Sequence, residues 1–100
     1  MWKVDGDKIV VDAAASSGPA AWIDGSCGVT FTKGQGLPGR AWAAGGAVEF
    51  APNVQALDPS KYGRLNLAKQ LGIKGSAAAF KDGVVIEVGC SSELSAPPAI

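Results

Sequence analysis

Two Asp-Gly turns, Asp5-Gly6-Asp7 near the start and Lys81-Asp82-Gly83 near the end, each sit between short apolar runs. These residues suit the tight turn of a β-hairpin, so each predicts two neighbouring antiparallel strands. The first pair is Trp2–Val4 with Lys8–Ala13, and the second is Ile73–Phe80 with Val84–Val88. Alternation assigns faces: Ile9, Val11 and Ala13 inward on one strand, Val84, Ile86 and Val88 inward on the last, with Val85 and Glu87 outward. Gly28–Thr32 and Ala47–Phe50 read as two further strands.

One convincing helix is expected over 59–71. Asp58 is a good N-cap, Pro59 suits the first helical position and Gly72 is a natural stop. Its buried stripe is Tyr62, Leu65, Ala68 and Leu71, with Lys61, Arg64 and Lys69 solvated. Ala14–Ser26, rich in Ala, Ser, Gly and Pro, reads as a loop pinned by Trp22, and Leu37–Ala44 as a turn with one helical turn. Strands dominate, so the expected class is α+β on a central antiparallel sheet. At 100 residues the chain encloses one core. Residues 1–90 are expected to form that single domain, and 91–100, with two prolines and little pattern, an extended or disordered tail.

Nine basic residues balance nine acidic ones, and no run of one sign appears, so nucleic acid and anionic lipid are not expected partners. The longest apolar stretch, Ala41–Val48, is broken by Gly45 and Gly46 and falls well short of the about 20 residues that span a bilayer. Residues 1–7 carry no apolar signal region. The chain is therefore expected to be soluble and to work where it is made, or in an organelle after loss of a targeting segment. With two cysteines and no histidine, a structural zinc site is not expected. Cys27 and Cys90 read as reduced thiols that could pair only if two strands brought them together. Lack of histidine also removes the usual general base, so no enzyme activity and no cofactor are expected. Gly34-x-Gly36-x-x-Gly39 spells a dinucleotide fingerprint, but Gly45-Gly46 ends any helix within a few residues, and the glycines read as turn formers.

The segment Gly36-Leu37-Pro38-Gly39-Arg40-Ala41-Trp42 resembles the signature of GAF domains, where a strand leads through a Gly-rich turn into a short helix. Trp2–Asp7 is similar to that family's opening hairpin, Asn53–Leu57 with Arg64, Ala68, Gly72 and Ile73 to its middle segment and helix, and Ala78–Glu87 to its final hairpin. The likeness runs in order from Trp2 to Val88. It implies an antiparallel sheet with one main helix and short loop helices on one side, and a role in binding small ligands or in mediating dimers. It places Phe31, Arg40 and Trp42 as candidate pocket residues, with the Arg40 guanidinium able to grip a carboxylate or phosphate; the residues themselves read first as structural, Arg40 holding loop carbonyls or pairing with an acid such as Asp58, and Phe31 and Trp42 as core aromatics. The family's flanking helices have no counterpart in the chain. The face they would cover is expected to be wetted by Lys3, Asp5, Asp12 and Glu87, with Val10, Phe80 and Val85 among them, or to be covered by another protein.

The leading expectation is a non-enzymatic GAF-like interaction or accessory subunit of a larger assembly, with a protein partner. A small-molecule-sensing domain is the alternative. A thiol-dependent methionine sulfoxide reductase using Cys27 comes third, because the turn that holds a cysteine in such relatives has Pro38 here. Bilin attachment has no support, since the pocket histidine of that branch is missing.

Overall fold

The computed structural model describes residues 1–58 and 64–100. Its strands are β1 (Trp2–Asp5), β2 (Lys8–Val11), β3 (Thr30–Thr32), β4 (Glu49–Ala51), β5 (Gly75–Lys81) and β6 (Val84–Cys90). Among the described residues these six form one curled antiparallel sheet in the order β3-β2-β1-β6-β5-β4. Both expected hairpins are present. In the second, Asp82 (φ 54°) and Gly83 (φ 79°) occupy the left-handed region, the conformation of a type I′ turn. It puts Val84 opposite Lys81 and Val85 opposite Phe80.

Three α-helices complete the described chain: α1 (Ala20–Cys27), α2 (Gly36–Ala44) and α3 (Leu65–Leu71), a content consistent with the α+β class. The expected helix corresponds to α3 from Leu65 onward, whereas Pro59 to Gly63, including Tyr62 and Lys61, lie outside the described residues. Leu65 and Ala68 are buried and Lys69 is exposed, but Arg64 is buried, not solvated. It precedes the helix at φ −102°, ψ 27°, so its side chain leaves the regular helical face. The loop expected at Ala14–Ser26 contains a 3-10 turn at Ala13–Ala15 and α1. There Pro19 sits at the N-terminal boundary, followed by two alanines, the strongest helix former. Leu37–Ala44 is a full helix with Gly36; Pro38 falls in its first turn, where a missing N–H leaves no intrahelical bond unmade.

All three helices share one face of the sheet. Trp2, Ile9, Phe31, Ala51, Ala78 and Val85 from the strands, Leu37, Ala41 and Trp42 from α2, and Leu65 and Ala68 from α3 form one core, and Trp22 of α1 packs against it. The phase expected for β6 is therefore reversed. Val85 is fully buried under the helices, and Val88 is 43% exposed on the opposite side. A period of two fixes which residues share a face but not which face is covered, and with valine at both 84 and 85 only Glu87 argued for the phase.

Close packing of α2 on β3 depends on Gly39. A Cβ there would run into the Thr32 carbonyl oxygen, and Gly39 in turn accepts from the Gly34 N–H at 2.8 Å. The blocking atom is backbone and cannot swing aside. Gly39→Ala is expected to cost about 1–3 kcal/mol, read as a lower urea midpoint at unchanged slope; an unchanged midpoint would contradict this packing. No described helix is long and apolar enough to cross a membrane.

Candidate functional site

Arg64 stands at the junction of the sheet and α1. Its guanidinium carbon lies 4.6 Å from the centre of the Trp22 ring, 5.1 Å from Trp2 and 5.7 Å from Phe31, within reach of cation–π attraction to each. Trp2 and Phe31 meet edge to face at 5.1 Å and 71°, the arrangement aromatic quadrupoles favour. Nη2 of Arg64 donates to Glu87 Oε2 at 2.6 Å, and Nη1 donates to Ser26 Oγ at 3.3 Å. The other Glu87 oxygen, Oε1, accepts from Trp2 Nε1 at 3.0 Å, while the single Ser76 Oγ proton is shared between the Val88 carbonyl oxygen at 3.1 Å and Oε2 at 3.4 Å.

The Arg64 and Glu87 side chains are 2% and 6% exposed. Glu87, expected on a wetted face, is thus buried in an ion pair whose two oxygens both accept from side-chain donors. A buried charge persists only when paired and hydrogen-bonded. The Arg64–Glu87 pair meets that condition, and through Ser26 it ties α1 to the sheet.

Beside it lies a cleft of about 230 Å³ whose wall includes Ser17, Trp22, Arg64 and Glu87 together with Ile86 and Val88 of β6. The Met1 ammonium also lines it and donates to Ser16 Oγ at 3.1 Å. Burial holds that amine below its ordinary pKa; Glu87 and Asp12 oppose the shift, and Arg64 adds to it. A second, more open cleft is lined by Gly6, Asp7, Thr32, Lys33 and Trp42, with Lys33 Nζ 5.1 Å from the Trp42 ring centre.

The three residues suggested as a pocket do not line one cleft together, although Phe31 and Trp42 share the core. Phe31 is buried against Trp2 and Arg64, Trp42 lies under Lys33 in the second cleft, and half-buried Arg40 on α2 is in the wall of neither cleft. Cys27, exposed at the end of α1, and Cys90 in β6 are both free. Among the described residues, no three His, Cys, Asp or Glu side chains gather as metal ligands.

The sheet face away from the helices follows from the register. One row crosses it as Thr30, Val10, Lys3, Val84 and Lys81, the next pairs Ile86 with Ala79, and a third runs Val88, Ala77, Phe50. Its surface is therefore an aliphatic stripe along β6 flanked by lysines at one end. Phe80 and Val85, expected here, belong instead to the helix side. Arg64 and Glu87 are the residues that sequence reasoning missed. The available signal was Glu87 itself, a lone charge in Val84-Val85-Ile86-Glu87-Val88.

No protein-family model matches the chain, and no curated protein matches it.

Proposed function

We propose that this chain is a non-enzymatic binding module of GAF-like architecture, an interaction or accessory subunit that works through the helix-free face of its sheet. What supports the architecture is a β3 strand leading through a Gly-rich turn into the short helix α2, with all three helices on one side. The observation that carries the function is the stripe Val84, Ile86, Val88, where Val88 keeps 43% of its surface in water. An apolar stripe with a charged rim has the composition of a protein interface, and Lys3 and Lys81 on either side of Val84 favour a partner with acidic residues at that end.

Val88→Asp tests it. Because Val88 is exposed, the change should shift stability by no more than about 0.5 kcal/mol, while weakening partner binding at least about tenfold, or about 1.4 kcal/mol. Binding measured by titration against the purified partner and left unchanged would refute the assignment. The cleft beside Arg64 supports a second reading, a small-molecule sensor. A thermal-shift series with nucleotides and small carboxylic acids should then raise the melting temperature, and no shift with any of them would remove it.

A further inference from the structure

Within the segment expected to be extended or disordered, residues 92–94 are hydrogen-bonded to the sheet and its flank. Gly75 N–H donates to Ser92 O at 3.0 Å and Leu94 N–H to Pro52 O at 3.1 Å, and Asn53 Nδ2 donates to Glu93 Oε1 at 3.0 Å. Leu94 is seated where a side chain at position 75 would stand: a Cβ on Gly75 would lie 2.6 Å from Leu94 Cγ and 2.7 Å from Ser92 O. That direction is the helix-free face, because Gly75 pairs with Cys90 in phase with Ala77 and Ala79, whereas intervening Ser76 bonds Glu87 on the helix side. Gly75 thus makes room for the tail on the surface assigned to the partner.

Two burial facts point the same way. Ala77 and Ala79 are 0% and 3% exposed, yet neither belongs to the core under the helices. Leu94, Pro98 and Ile100 are half-buried in a segment with no regular secondary structure, and they too lie outside that core. Leu94 beside Gly75 and the alanines of β5 are each shielded from water on the side where no helix packs.

We propose that residues 91–100 are an intramolecular strap on the helix-free face, covering the alanine strip of β5 and competing with the partner for it; this rests on that face being the working surface. The strap is built for release. Its hydrogen bonds to the sheet come from residues 92–94, it forms no ladder, and Pro97 and Pro98 bring no N–H to extend one. A partner that supplies its own apolar groups to the strip would displace it, so tail and partner exclude one another.

The test uses the full chain and needs no partner. In methyl-labelled protein, Ile100 or Leu94 methyls should show nuclear Overhauser contacts to the Ala77 or Ala79 methyls. Leu94→Asp, and independently Ile100→Asp, should shift those alanine signals and raise anilinonaphthalene sulfonate fluorescence severalfold, with the far-UV circular dichroism of the wild type retained. Absent contacts, or both variants giving wild-type dye fluorescence and alanine shifts, would overturn the strap. Since nothing in this readout involves binding, its failure is separable from a failure of Val88→Asp to disturb the partner.

Discussion

Arg64→Ala is expected to cost about 3–5 kcal/mol, because it strands the Glu87 carboxylate in a site that is nearly closed to water. A domain of this size has about 5–15 kcal/mol in all, and each kcal/mol moves its melting temperature by about 4–8 °C. The variant should therefore melt tens of degrees lower. The loss would come mainly from the orphaned charge and only partly from the missing contact. Arg64→Met combined with Glu87→Leu removes both charges and keeps apolar volume, and should be far closer to wild type than either single change to alanine. Lys69→Ala, on the exposed side of α3, is the control and should fall within about 0.5 kcal/mol. Chemical denaturation of these variants decides the matter: a cost for Arg64→Ala under about 1 kcal/mol would mean that the pair behaves as a surface salt bridge.

Trp2→Ala should be comparably severe, at about 3–5 kcal/mol. Trp2 is 1% exposed, packs its ring on Phe31 and the Arg64 guanidinium, and holds Glu87 through Nε1. Trp2→Phe separates these roles. It keeps an aromatic ring in the core but withdraws the donor to Glu87 Oε1, a hydrogen bond to a charged group worth about 1.5–3 kcal/mol. The expected order of stability is wild type, then phenylalanine, then alanine. A phenylalanine variant as stable as wild type would show that the indole bond contributes nothing and that Glu87 is held by Arg64 and Ser76 alone.

The hairpins, the antiparallel sheet and the helix face of Leu65 and Ala68 were legible because they rest on local rules: turn residues that accept positive φ, a period of two, and a helical stripe. Helix α1 was not, because its composition is also that of a loop, and it is Trp22 stacking on Arg64, a contact across the chain, that fixes its place. The phase of β6 failed for a related reason. Glu87 looks solvated until its partner is known, and the partner lies 23 residues away before a helix. Arg64, in turn, reads as one more charge beside Lys61 and Lys69. Long-range pairing of two opposite charges leaves no periodic trace in either segment, so a single sequence could place neither one.

The same pairing bears on where the molecule meets others. With Arg64, Glu87, Trp2 and Trp22 packed on the helix side, Val84, Ile86 and Val88 fall on the other face of the sheet, where we propose that a partner buries them. The most direct measurement is site-specific photocrosslinking from Val84, which lies on that face and outside the wall of the cleft, with Ser17 in the cleft wall as the comparison, in extract from the native source. Binding through the helix-free face requires a discrete crosslinked product from position 84 that is lost in Val88→Asp. A product formed from position 17 and not from 84, or one from 84 that persists in Val88→Asp, would contradict it.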